Sequence, residues 1–105
     1  MGEVRIDKWL WAVRIFKTRD LAAEACRKKH VSINNLSVKP SHLVKIGQII
    51  QVRKPPITHT YEVLSIISQR IPAAAVPQHL RDLTPPEQYE LLRQPASGFI
   101  PRPSG

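Results

Sequence analysis

The groups in this chain that could act on a ligand are mostly cationic. Arg5, Lys8, Arg14, Lys17 and Arg19 recur every few residues, Arg27, Lys28 and Lys29 follow as a run, and Lys39 stands after a polar turn. Guanidinium and ammonium groups at several spacings can bridge the successive phosphates of a polyanion. An arginine plane can also stack on a base. Trp11 lies among these charges, and Asn34 and Ser41 offer neutral hydrogen bonds to phosphate or ribose 2′-OH. Lys17 and Arg19 flank the start of a helix, where free backbone N–H groups already favour a phosphate. Both read as exposed, so replacing them should leave the fold intact.

The charge is unevenly spread. Residues 1–54 hold 12 Lys/Arg against 4 Asp/Glu, whereas residues 55–105 hold 4 of each, so the first half carries the whole net charge of +8. With a pI near 10.3, nucleic acid is the first partner to consider and an anionic membrane the second. A chain of 105 residues supports one domain, or one with an appendage.

Other chemistries find little support. The single cysteine, Cys26, excludes an internal disulfide and has no Cys or His partner at zinc-ligand spacing. His30, His42, His59 and His79 are scattered, several carboxylates read as helix-end charges, and no phosphate-cradling glycine loop occurs. No metal, cofactor or catalysis is expected. No apolar run approaches the roughly 18 residues of a membrane span, and Arg5, Asp7 and Lys8 interrupt any signal-peptide core. A reducing, cytoplasmic setting is expected.

The elements that position these residues can be read from periodicity. Residues 6–16 read as a helix with Ile6, Trp9, Leu10, Ala12, Val13 and Phe16 on one side and Asp7, Lys8, Trp11 and Arg14 on the other. Trp11 then either packs under another part of the chain or offers a stacking surface. A second helix starts at Thr18, its N-cap, with Leu21, Ala22, Ala25 and Cys26 as a narrow apolar face. Residues 31–38 read as a hairpin turning at Asn34-Asn35. Residues 49–52 and 58–67 read as strands. Pro77 could open a short helix carrying Leu80 and Leu83. Thr84-Pro85-Pro86-Glu87 reads as a capping box opening a helix to about Arg93. Residues 94–105 are rich in Pro, Gly and Ser and are expected to be disordered, and the abrupt end suits a trimmed chain.

This order of elements, together with Arg5-Ile6-Asp7-Lys8-Trp9-Leu10-Trp11, Arg14, Lys17-Thr18-Arg19, Leu21-Ala22, Val31, Asn34, Lys39-Pro40-Ser41, Val44, Gly47 and Ile50, resembles the RNA-binding domain first seen in ribosomal protein S4. The opening RIDKWLWAVRIFKTRDLA looks like the heat-shock protein 15 family and is similar to its relative in bacterial ribosome quality control. Asn35 stands where the family often has glycine, and Gln48 where an acid commonly follows the glycine. The match covers residues 4–54.

The resemblance implies an α+β, S4-type (alpha-L) fold, with two packed helices against a small, mainly antiparallel sheet. Residues 4–54 would be the RNA-binding domain and 55–93 an appendage of strand and short helices packing on it. The implied RNA-binding residues are Arg5, Lys8, Trp11, Arg14, Lys17, Thr18, Arg19, Arg27, Lys28, Lys29, Asn34, Lys39 and Ser41. The implied function is non-catalytic: binding rRNA and tRNA on the large ribosomal subunit, and recycling or rescuing stalled subunits that carry peptidyl-tRNA, with a link to heat stress. The chain would be a monomer off the ribosome, with weak DNA binding and no membrane contact. A general nucleic-acid binder, or an accessory domain of an RNA-modifying enzyme, are the alternatives.

Overall fold

The first helix is shorter than its apolar period. In the computed structural model, which describes residues 3–91, α1 spans Ile6–Ala12 rather than running on to Phe16. The chain is turned out of the helix at Arg14, which takes φ 66°. Arg14 N–H donates to the Trp11 carbonyl at 3.1 Å and Ile15 N–H to the Leu10 carbonyl at 3.0 Å. These two bonds form a Schellman motif, and the place usually held by glycine is filled by an arginine. The second helix, α2 (Arg19–Arg27), ends the same way. Lys29 takes φ 65°, its N–H donates to Cys26, and His30 N–H donates to Ala25.

A side chain with a Cβ is strained in this left-handed region. Lys29→Gly should therefore raise stability by roughly 0.5–1 kcal/mol, measured as an increase in denaturation midpoint at unchanged m-value. The start of α2 follows expectation, with Thr18 accepting from Leu21 N–H at 3.0 Å. Thr18→Ala should cost about 1 kcal/mol in a thermal melt through loss of that cap.

Five short strands follow: β1 (Val31–Ile33), β2 (Leu36–Ser37), β3 (Ile49–Lys54), β4 (Ile57–Val63) and β5 (Leu80–Asp82). They form one antiparallel sheet in the order β2-β1-β3-β4-β5. Asn34 and Asn35 both have positive φ, at 53° and 68°, as the primed turn between β1 and β2 requires. Gly47, at φ 90°, turns the chain into β3. Beside it the Gln48 side-chain oxygen accepts from Lys45 N–H at 2.8 Å, a bond that a carboxylate at this position would equally accept.

One face of the sheet packs on the helices. Ile6, Trp9, Leu10 and Val13 of the α1 region meet Val31, Ile50, Val52 and Val63, all essentially without solvent exposure. The Trp9 indole N–H finds the Ser65 carbonyl at 3.0 Å, which satisfies the polar atom of a ring otherwise buried in apolar side chains. On α2 the buried residues are Ala22, Ala23, Ala25 and Cys26. Leu21, expected on the apolar face, is instead 51% exposed.

Beyond β3 several expectations need correction. β4 stops at Val63 rather than reaching Ile67, because the next two N–H groups, of Leu64 and Ser65, turn to the His79 carbonyl. No helix opens at Pro77. That proline lies inside a 3-10 turn, Ala73–Gln78, and Leu80 is drawn into the sheet opposite Val63. The capping box does not close either. The Thr84 hydroxyl accepts from Thr60 N–H at 3.0 Å, so Pro85 is the N-cap of α3 (Pro86–Glu90) and no side chain caps it. The expected end of that helix at Arg93 and the expected disordered tail lie outside the described residues.

Candidate nucleic-acid interface

The start of α1 is held by the loop that follows the hairpin. Ile6 N–H donates to the His42 carbonyl at 2.7 Å and Asp7 N–H to the Pro40 carbonyl at 3.3 Å. Arg5 bridges to Leu43 as an isolated antiparallel pair. These bonds place Lys39 and Ser41, both exposed, beside the first turn of α1.

Asp7 joins the two helices. The period puts it on the charged side, yet it is only 3% exposed. Its Oδ2 accepts from the Arg5 guanidinium at 2.9 Å, and its Oδ1 lies 3.4 Å from Arg19 Nε. The second contact is an ion pair without an aligned hydrogen bond. A buried carboxylate needs such partners, so Arg5 and Arg19 are fixed in position as well as cationic. Their side chains remain 48% and 44% exposed, which leaves the outer edge of each guanidinium open to a ligand.

At the far end of α2, Arg27 and Lys29 meet Lys39 around a groove of about 340 Å³, with Ser37, Val38 and Pro40 on its other side and Cys26 beneath. Pro40 links the two regions, since its carbonyl also holds Asp7. Arg27 and Lys28 both approach Glu24, at 3.4 and 3.7 Å, as exposed pairs that contribute little to stability. Burial, and next the charge of Asp7, push the Cys26 thiol up to about 11, so it is a neutral packing group at ordinary pH rather than a nucleophile.

The structure therefore brings together Arg5, Arg19, Arg27, Lys29, Lys39 and Ser41. Lys17 and Thr18 stand exposed at the entrance of α2, and Lys8 is half-buried on α1. Asn34 is exposed at the hairpin tip, and Lys28 is exposed at the α2 C-cap. Trp11 and Arg14 do not join the groove. Trp11 is half-buried, and its carbonyl accepts from Arg70 Nε at 3.2 Å. The Arg14 guanidinium reaches the Ile71 carbonyl at 3.3 Å. Sequence reasoning missed Lys54 and Arg70. Lys54 donates to the Ile15 carbonyl and sits 4.6 Å from the centre of the Phe16 ring, and Arg70 straps the end of α1. A charge count cannot find Arg70, because the second half balances to zero.

Burial, and next the Lys54 ammonium, hold His59 below its ordinary value. The folded state therefore binds fewer protons than the unfolded chain at mildly acidic pH. Stability should be fully present above an unfolded histidine value of about 6.5 and decline as pH falls through that value toward the folded one. Melting temperatures measured from neutral to mildly acidic pH should show this decline, and His59→Gln should flatten it.

Two helices on an antiparallel sheet, with a cationic face built from α2 and the loop after the hairpin, define an S4-type RNA-binding fold. The S4 domain family matches residues 4–50. The chain is 42% identical to heat shock protein 15 of Escherichia coli K12 over 69% of its own length and 54% of that protein. It thus spans about half the length of the curated relatives it matches first. It is 36% identical to the RQC P-site tRNA stabilizing factor of Helicobacter pylori, covering 60% of this chain and 75% of that protein. A trimeric structure of Vibrio cholerae heat shock protein 15 superposes with a TM-score of 0.81 at 35% identity, covering 89% of this chain and 98% of that one. The chain belongs to the heat shock protein 15 family.

Proposed function

We propose that this protein binds structured RNA of the large ribosomal subunit together with tRNA, without catalysis, and helps recycle stalled subunits that carry peptidyl-tRNA. The observation that carries this reading is the convergence of Arg27, Lys29 and Lys39 on one groove, continuous through Pro40 with the Asp7-pinned Arg5 and Arg19. Such a surface can span several phosphates with preset geometry. The Helicobacter pylori relative is named as a P-site tRNA stabilizing factor, which supports the tRNA part. The link to heat stress rests on the family name. Among the described residues no group of three or more metal-ligating side chains occurs, and no helix is long and apolar enough to cross a membrane. In this reading the protein acts in the cytoplasm and is a monomer off the ribosome.

Co-sedimentation of the full chain with ribosomal fractions, followed by crosslinking and sequencing of the bound RNA, tests the reading. Enrichment in free large subunits, with crosslinks to rRNA and tRNA, is the expected result. Equal retention on unrelated RNA or DNA would replace it with a general nucleic-acid binder.

A further inference from the structure

A second cleft lies on the helix side of the sheet, where helix cover ends. On β4 the helix-facing positions are Ile57, His59, Tyr61 and Val63, and the two outer ones are buried. The β3 partners of His59 and Tyr61 are Val52 and Ile50, both fully buried. Alternation therefore calls for apolar residues at 59 and 61. The chain has instead two polar aromatic rings, parallel within 9° and with centroids 5.8 Å apart. Asp82 stands opposite Tyr61 on β5, and Lys54 ends β3 on the same face. Residues 13–15 and 73–77 wall the space, which measures about 550 Å³.

The cleft has polar groups of both signs in different places. Asp82 accepts from Thr84 N–H at 2.9 Å and from the Tyr89 hydroxyl at 2.8 Å, which orients its carboxylate and leaves lone pairs unused. His59 Nδ1 is buried with no hydrogen-bond partner. Lys54 spends one donor on the Ile15 carbonyl, and Arg14 spends one on Ile71, so each keeps others free. A simple anion would meet the charge of Asp82, and an apolar ligand would leave Lys54 and Arg14 unanswered. A base with its phosphate matches the whole set: the ring stacks on aromatic side chains, a base N–H donates to the carboxylate, and the phosphate meets the two cations.

We propose that this cleft is a nucleotide subsite, which takes one unpaired nucleotide of the RNA held by the cationic face. His59 and Tyr61 form the stacking surface, Asp82 accepts from the base edge, and Arg14 and Lys54 hold the phosphate. The proposal rests on the RNA-binding reading above, and the two fail separately in the experiment that follows.

Amide and side-chain NMR signals of the full chain are followed as guanosine 5′-monophosphate is added, with inorganic phosphate as a parallel titration. The same spectra are then taken with an RNA hairpin bearing an unpaired loop and with a blunt RNA duplex. The expected result is saturable shifts at His59, Tyr61 and Asp82 with the nucleotide and the hairpin. Phosphate alone and the duplex should leave those three positions still. Tyr61→Leu, which keeps apolar bulk in the cleft, and His59→Gln should each weaken nucleotide binding about tenfold, whereas Lys39→Ala should not. Still signals at all three positions with both nucleotide and hairpin would overturn the subsite, even if Lys29 and Lys39 respond to RNA. Cleft shifts with the nucleotide, but no response of Lys29 and Lys39 to either RNA, would uphold a nucleotide pocket and overturn the RNA-binding face.

Discussion

Replacing Arg27, Lys29 and Lys39 together, as Arg27→Ala, Lys29→Gly and Lys39→Ala, should weaken RNA binding about a hundredfold at about 0.1 M salt. Each phosphate neutralised contributes roughly 0.7–0.9 to the slope of log K against log salt, so losing about three contacts makes the slope shallower by about two to three units. The intercept at high salt should change little, because these residues act through charge. The fold should hold. All three side chains are exposed, and the pair between Arg27 and Glu24 is solvated on both sides. Glycine at 29 also relieves the strained end of α2. RNA titrations at several salt concentrations, with a thermal melt of each protein, check the result. An unchanged slope in the folded variant would move the interface elsewhere.

The combined change Arg5→Ala and Arg19→Ala should instead destabilise the protein by about 3 kcal/mol, since a buried carboxylate loses both of its counter-charges. Arg19→Ala alone should cost roughly 1–2 kcal/mol, because Arg5 still holds Oδ2 of Asp7. Adding Asp7→Asn to the double variant should recover a large part of the loss, since an amide of the same shape carries no charge to leave unpaired. Urea unfolding of the three variants forms the comparison. This revises the expectation that Lys17 and Arg19 can be replaced together without harm. Lys17→Ala remains a surface change of less than about 0.5 kcal/mol, but Arg19, although exposed, is a counter-charge to the buried Asp7.

Much of the front half is legible in the sequence because local signals agree there. The period of Ile6, Trp9, Leu10 and Val13, the Thr18 cap and the Asn34-Asn35 turn each point to the element that forms. What the sequence hides are the helix ends, where Arg14 and Lys29 occupy positions at which glycine would have announced a stop. Asp7 is hidden for another reason. Helical phase places it with the charges, and its burial rests on Arg5 together with the approach of Arg19 from α2. In the back half, Leu80 fits a helix or a strand equally well by pattern, and the free edge of β4 decides. Thr84 shows the same competition. Its hydroxyl can cap a helix or bond to Thr60, and the neighbouring strand wins. Of the proposed interface, the charges can be read directly, whereas the separation of Trp11 and Arg14 from the groove depends on the strap at residues 70–71.

The reach of Trp9 has a bearing on how the protein is made. Its ring is enclosed by side chains from β1, β3 and β4, and its indole N–H waits for the carbonyl of Ser65, 56 residues further along the chain. The N-terminal helices, each too short to persist alone in water, are therefore synthesised well before the strand that completes their cover. Until β4 emerges, the nascent chain carries an uncovered tryptophan beside a cluster of positive charges, at the surface of the polyanion that is making it. The ribosomal role proposed above is thus preceded, for every copy, by a passage in which the unfinished helices lie beside ribosomal RNA.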